Sequence, residues 1–293
     1  MMLKGKNIII TGSGRGIGKA VAIACAKEGA NVGLTSRTLH ELNNTEKEIE
    51  NLGIGVKVVL KTADITKYEE VEEAFKYFHN ELGLLSGIIA NAGASWMGNT
   101  HDFEPNKFDN ILKVNILGVF NTFKAAYPYL KKDDKKVKAR FLITGSEAYP
   151  QAMPKFTAYA ASKYATVGLQ RSLAAEYKRE NINFNQILPT RVDTRMLRGK
   201  KAGDGNKPSG VLNPWDLNDC YIFIMSDESN RVNDQLIMSS DIQSVKKIIN
   251  GAPLDKKENW ETFKDYLEVK SPKTFNNVKK LKKFIEFLLT RSN

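Results

Sequence analysis

The residues most able to do chemistry together are Tyr159 and Lys163, in the stretch Tyr159-Ala-Ala-Ser-Lys163. The segment reads as helix, and a four-residue separation puts both side chains on one face, about one turn apart. A phenol beside an ammonium is a proton donor whose acidity can be tuned. The same pattern also fits an amphipathic face with a snorkelling lysine, so the rest of the chain must decide between the two. Ser146 stands thirteen residues before the tyrosine, and Asn115 lies further upstream. Near the start comes Thr11-Gly12-Ser13-Gly14-Arg15-Gly16-Ile17-Gly18, with glycines at the spacing Gly-x-x-x-Gly-x-Gly. Glycines let backbone N–H groups approach a phosphate, and a following helix N-terminus adds partial positive charge.

These residues need elements to carry them. Apolar runs over 6–11, 30–36, 55–62, 86–90, 140–144 and 183–188 read as strands. Between them, 19–29, 38–52, 69–82, 106–130 and 156–179 read as helices. Regular alternation implies a parallel sheet covered on both faces. Ligands in such sheets gather at the carboxyl ends of the strands. Gly12, Asp64, Asn91, Ser146 and Pro189 all fall there.

Composition narrows the class. Of 293 residues, 42% are apolar and 26% charged, as in ordinary globular proteins. No apolar run reaches the ~18 residues of a membrane span, and the N-terminus leads into a strand without a signal-like apolar region. A cytoplasmic protein is therefore expected, with Cys25 and Cys220 as reduced packing residues. The three histidines show no ligand spacing, so no metal site is expected. The net charge is +11, and residues 245–293, with twelve Lys/Arg against six Asp/Glu, supply over half of it. Such a balance suits acidic partners, an acidic carrier protein among them, or is a solvated face of a Lys-rich chain; no nucleic-acid role is expected.

Taken in order, Thr11-Gly-x-x-x-Gly16-x-Gly18, Asp64, Asn91-Ala92-Gly93, Asn115, Ser146 and Tyr159-x-x-x-Lys163 closely resemble the short-chain dehydrogenase/reductase family over about residues 4–240. The resemblance implies an α/β fold: a Rossmann-type, doubly wound, mostly parallel seven-stranded sheet. Residues 1–244 would form the dinucleotide-binding catalytic domain, and 245–293 a helical C-terminal extension past the family's usual end. The implied chemistry is hydride transfer between a nicotinamide and a carbonyl or secondary alcohol. Tyr159 would exchange the proton, with Lys163 favouring its phenolate and binding the nicotinamide ribose. Ser146 would hydrogen-bond the substrate oxygen, and Asn115 would hold a relay water. The cofactor would be held by Gly12, Ser13, Arg15, Gly16, Ile17, Gly18, Arg37, Asp64, Ile65, Asn91, Ala92, Gly93, Pro189 and Thr194, along with Tyr159 and Lys163.

The second strand ends Thr35-Ser36-Arg37 with no carboxylate to bind a ribose 2′-hydroxyl. Arg37, with Arg15, offers planar forks for a 2′-phosphate, so NADP(H) is expected over NAD(H). The expected reaction is reduction of a carbonyl, on a 3-oxoacyl thioester or similar keto substrate. A sugar, nucleotide-sugar or polyol substrate is one alternative; a non-catalytic NADP(H) sensor or scaffold is another. Residues 194–210 read as a mobile substrate lid; Arg191 just before it and Arg195, Arg198, Lys200 and Lys201 within it suit an anionic substrate or plain solvent. Trp96, Met97, Tyr149 and Gln151 are candidates for lining the pocket. Pro189-Thr190 stands where the family often has Pro-Gly. Ser239-Ser240-Asp241 stands where Asp-Gly-Gly is typical, in a segment that often builds tetramers. A dimer or modified tetramer is therefore expected. The tail's helical stretches, 260–268 and 278–289, would pack on the core, cap the cleft, meet a neighbouring subunit or dock a carrier.

Overall fold

The computed structural model describes residues 1–131, 138–151 and 153–291. Seven parallel strands form one sheet in the order β3-β2-β1-β4-β5-β6-β7. They are β1 (Asn7–Thr11), β2 (Asn31–Thr35), β3 (Val58–Leu60), β4 (Gly87–Ala90), β5 (Ala139–Thr144), β6 (Ile182–Leu188) and β7 (Gln235–Met238). Every residue of β4, β5 and β6 is buried, as expected of strands covered on both faces. The strand order reverses beside β1, where Ile8 is paired with Val32 on one side and Gly87 on the other. That reversal opens a crevice at the carboxyl ends of β1 and β4.

One face carries α1 (Gly16–Lys27), α2 (Leu39–Glu50) and α8 (Asn218–Met225); the other carries α3 (Tyr68–Leu82), α4 (Pro105–Leu112), α5 (Gly118–Ala126) and α6 (Thr157–Glu176). The stretch expected as one helix over 106–130 is divided. Residues Lys113–Leu117 form a π turn between α4 and α5, and Tyr127–Tyr129 close it as a 3-10 turn. Its backbone angles are helical on entering and leaving, at Leu112–Lys113 and Leu117–Gly118, so the chain continues from α4 into α5 without a turn signal in the sequence. Such π turns are frequent at functional sites, and this one contains Asn115.

The C-terminal part is α9 (Ser239–Gly251), α10 (Leu254–Lys257), α11 (Trp260–Lys270), α12 (Pro272–Val278) and α13 (Lys282–Arg291). Helix α9 starts directly at the end of β7 and runs across position 244. Trp260, Phe263, Leu267, Phe284 and Leu288 join the same buried cluster as Val21 of α1 and Phe223 of α8. The Phe223 ring lies 4.9 Å from Phe284 and 6.3 Å from Phe287, centroid to centroid. The tail thus packs its apolar stripe on the core through α8. Below the sheet, the wholly buried Arg140 of β5 ties down the end of α8, donating to the carbonyls of Ile224 and Ser226.

Candidate active site

Ser146 is set by the turn that ends β5. Gly145 N donates to Ile187 O at 2.7 Å and Glu147 N to Pro189 O at 2.9 Å, so the turn is stitched to the end of β6. The Ser146 hydroxyl accepts from Ala148 N at 3.1 Å, which fixes its oxygen. Tyr159 and Lys163 sit in the first two turns of α6. Lys163 is buried, and its Nζ donates to Thr144 O at 2.9 Å, 5.6 Å from the centre of the Tyr159 ring. Structure therefore brings together the three residues that spacing had aligned. The Thr144 hydroxyl beneath them shares a 2.8 Å hydrogen bond with Tyr221 of α8.

Asn115 completes the cluster from the π turn. Its Nδ2 donates to Ala94 O (2.9 Å) and Ser162 Oγ (2.8 Å), and its Oδ1 accepts from Ala94 N at 2.8 Å. Ser162 in turn donates to Tyr159 O at 2.7 Å. The amide joins the loop after β4 to the turn of α6 that bears Tyr159, and both its hydrogens are committed.

Burial dominates the electrostatics. It pushes the Tyr159 phenol above its usual range, while the Ser146 hydroxyl pulls it back. It also lowers the Lys163 ammonium from 10.5 to about 8. Both shifts disfavour charge in a site shielded from water. The arrangement holds a neutral acid ready to donate, beside a cation that can compensate an anion formed there.

The glycine turn lies across the crevice. Thr11 Oγ1 accepts from Asn91 N (3.0 Å) and Ala92 N (3.1 Å), and Asn91 Nδ2 donates back to Thr11 O at 3.0 Å. This strap leaves no room beside Gly12. A Cβ there would lie 2.9 Å from Ala92 Cα, and the residue has φ +68°. At Gly18 a Cβ would come within 2.2 Å of Gly12 O, so glycine permits the helix to approach the turn. Helix α1 has no side-chain cap and no acidic residue in its first turn. Its leading N–H groups therefore lack the usual protein acceptors, and they suit the pyrophosphate of a dinucleotide.

The other expected cofactor residues are placed unevenly. Ser13 is fully buried, and its hydroxyl is directed to Thr35 O at 3.4 Å. Ile17 packs on the core, and Ile65 is buried against Gly118 while its carbonyl accepts from Asn121. Asp64 Oδ1 accepts from the amide and hydroxyl of Thr66, and its Oδ2 lies 4.0 Å from Arg37 Nη1. Thr194 sits over the glycine turn, its methyl 3.1 Å from where a Cβ of Gly16 would be. Gly93 adjoins Asn115 Oδ1, and the Pro189 carbonyl is engaged by Glu147.

Two arginines differ from expectation. Arg198, read as open to an anionic substrate, is folded inward, with Nη1 3.0 Å from Asp193 and Nη2 3.0 Å from Asp204 and from Asn206 O. Asp193 Oδ2 also accepts from Gly203 N. The segment read as a mobile lid is thus organised around Arg198, beginning with the short helix α7 (Arg195–Arg198). Arg195 reaches back to Glu41 at 3.1 Å, where Arg15 also binds at 3.0 Å. Glu41 passed unnoticed in sequence; its one signal is a carboxylate in the first turn of α2, one turn after Arg37. Trp96 and Met97 are exposed beside the site. Behind the start of α6, Gly98, Phe103, Phe108, Leu112 and Thr157 line a largely apolar cleft of about 330 Å³, which no motif announced.

A doubly wound parallel sheet, an open helix N-terminus at its switch point and a Ser–Tyr–Lys cluster across the crevice define a dinucleotide-binding oxidoreductase. The short chain dehydrogenase family model matches residues 6–205. The 2-(S)-hydroxypropyl-CoM dehydrogenase 3 of Xanthobacter autotrophicus is 30% identical over 240 residues, 78% of this chain and 92% of that one. Among solved structures, an alcohol dehydrogenase from Thermococcus sibiricus complexed with 5-hydroxy-NADP superposes with a TM-score of 0.72 at 29% identity, covering 80% of this chain and 95% of that chain. The 3-ketoacyl-(acyl-carrier-protein) reductase from Brucella melitensis, complexed with NADH, gives 0.73 at 27% identity, covering 80% and 97%. The chain belongs to the short-chain dehydrogenase/reductase family, oxidoreductases that use a nicotinamide dinucleotide on carbonyl or alcohol substrates. Among the described residues no helix is long and apolar enough to cross a membrane.

Proposed function

We propose that the protein is an NADPH-dependent reductase of the cytoplasm that converts a keto group to a secondary alcohol, on a 3-oxoacyl thioester or a similar substrate. The observation that carries this reading is the convergence of Ser146, Tyr159, Lys163 and Asn115 at one end of the sheet. The bound dinucleotide supplies the hydride. Ser146 binds the substrate oxygen as charge grows on it. Tyr159 gives that oxygen its proton; a phenol with an ordinary pKa near ~10 stays protonated at neutral pH and is a competent donor. Lys163 binds the nicotinamide ribose and offsets the phenolate left behind. Asn115 braces the Tyr159 turn and holds a relay water through its oxygens, since its amide hydrogens are committed.

The glycine turn, Asn91–Gly93, Pro189 and Thr194 would hold the dinucleotide, and Asp64 and Ile65 its adenine end. Arg37 and Arg15 favour NADPH: both are well exposed, and β2 ends without a carboxylate. Their pairs with Asp64 and Glu41, at 4.0 and 3.0 Å, are made from the solvent side by each arginine, where a 2′-phosphate can compete for the same guanidinium groups. The apolar cleft behind α6 gives room for an acyl arm. Leu117 at the end of the π turn and Phe120 in α5, exposed one turn apart, and Tyr164 on α6 offer a face for a second copy. Domain 1–244 would carry the catalysis and 245–293 brace it. The decisive test is NADPH oxidation with a panel of acyl thioesters, small ketones and sugars. Turnover on oxoacyl thioesters that vanishes in Tyr159→Phe is expected. Dinucleotide binding with no turnover on any member would favour a sensor instead.

A further inference from the structure

Next to the catalytic serine lies a carboxylate that the proposed chemistry leaves unused. Glu147 is 8% exposed. Its Oε1 accepts from Ser240 N at 2.8 Å and from Ser239 Oγ at 3.3 Å, at the start of α9. Ser239 is wholly buried, and its hydroxyl also accepts from Thr190 N at 2.8 Å. The backbone of Glu147 donates to Pro189 O at 2.9 Å. Three segments therefore meet at one side chain: the turn bearing Ser146, the Pro189-Thr190 turn that walls the cofactor site, and the first turn of the C-terminal helices. A carboxylate is costly to bury without donors; here the Ser240 N–H and Ser239 hydroxyl at the start of a thirteen-residue helix supply them, and its dipole adds to them.

The connection to catalysis is geometric. Ser146 Oγ is oriented by Ala148 N, and Glu147 is the middle residue of that turn. Moving Glu147 shifts both the hydroxyl and the donor that aims it. On the α9 side, Asp241 in the same first turn accepts from Asn277 of α12 at 2.9 Å, so the start of α9 is itself held by the tail. We infer that Glu147 is a positioning residue: by tying the Ser146 turn and the Pro189-Thr190 turn to the start of α9, it aims the serine hydroxyl at the reacting oxygen and makes the C-terminal helices part of the catalytic support. This rests on the role proposed above for Ser146.

The test compares Glu147→Ala, Glu147→Gln and Ser239→Ala with the full-length wild type. Four quantities are measured: kcat, KM, dinucleotide dissociation constant and the Tyr159 phenol titration, the last from near-ultraviolet difference spectra against Tyr159→Phe. Displacing a positioned group by about 1 Å can cost ~100-fold. Glu147→Ala should lose ~10- to 100-fold in kcat on that principle, with dinucleotide affinity within about twofold of wild type. Glu147→Gln keeps an oxygen acceptor and should recover most of the loss; Ser239→Ala should fall between them. Without Ser146 in register, the Tyr159 titration should move upward in Glu147→Ala. Wild-type kcat in folded Glu147→Ala, or a Gln variant as slow as the Ala one, overturns the inference. Should Glu147→Ala fail to fold, Ser239→Ala decides, and unaltered kcat there overturns it equally. A wild type inactive on every substrate refutes the proposed function, not this inference, which then stands or falls on whether the Tyr159 titration moves.

Discussion

The two ends of the crevice are built on opposite principles. At the catalytic end, Lys163 and Asn115 are buried, each with a main-chain or hydroxyl partner, the Lys163 ammonium is pulled down toward neutrality, and the buried Glu147 carboxylate is held by the start of α9. At the glycine-turn end, the exposed arginines Arg15, Arg37 and Arg195 pair with the partly buried carboxylates Glu41 and Asp64 at the protein surface. Buried networks are costly to disturb and hold one geometry. Exposed ion pairs are cheap and exchangeable. The first end is preformed for a reaction; the second is occupied by its own counter-charges until an anion replaces them. Chemistry should therefore respond steeply to single substitutions, and cofactor choice should respond gradually.

The largest effect is expected from Tyr159→Phe. General-acid catalysis contributes ~10²–10⁴-fold, so turnover should fall at least that far while dinucleotide affinity changes by less than about twofold. Retained turnover would end the distinction drawn above. Ser146→Ala should cost ~10²–10³-fold in kcat, by the usual worth of one oxyanion donor, checked by steady-state kinetics.

Lys163 makes a prediction of opposite sign for stability. Its folded pKa lies at about 8 against 10.5 ordinarily. The unfolded chain thus binds more protons between those values, and stability must rise with pH across that window. Below about pH 8 the full penalty is present. Dinucleotide-free Lys163→Met should melt higher than wild type at pH 7, with the advantage shrinking from pH 8 to 10, while turnover collapses. Above about pH 10 the raised phenol of Tyr159 acts the other way, since the native state then keeps a proton that the unfolded chain loses. A melting temperature lower in the variant than in wild type at pH 7 would refute the account of burial.

The smallest effects belong to the arginine end. Arg37→Ala should weaken NADPH binding by ~10- to 30-fold, as expected for a charge-assisted bond worth ~1.5–2 kcal/mol, and leave NADH unchanged. Glu41→Gln should tighten NADPH by a few-fold, because Arg15 is then released without breaking an ion pair. Titration by fluorescence separates these. Tighter NADH than NADPH in the wild type would reverse the cofactor assignment.

The same division governed what could be read from the chain. Strand and helix order, the glycine turn and the Ser146–Tyr159–Lys163 set were legible because each rests on local periodicity or a fixed interval along the sequence. The π turn at Asn115 was not, because the chain enters and leaves it with helical angles and neither Gly nor Pro falls within residues 113–117. The pairing of Glu41 with Arg15 and Arg195 joins positions 26 and 154 residues apart, and nothing local marks it. Arg198 looked free because its partner Asp193 precedes it in a stretch that reads as loop. Glu147 was hidden for a different reason: an acidic residue in a turn reads as solvated until the helix above it is placed.

The tail's position on α8 has a consequence for how many neighbours a molecule can hold. Phe284 and Phe287 cover Phe223, so the outer face of α8 there is covered by the chain itself. Leu117, Phe120 and Tyr164 stay open on the opposite side. A particle with two adhesive faces can continue into larger arrays, whereas one with a single self-complementary face joins once and stops. In that sense the C-terminal helices would lower the molecule's valence, and the pairing proposed above through Leu117, Phe120 and Tyr164 would be the limit of its growth.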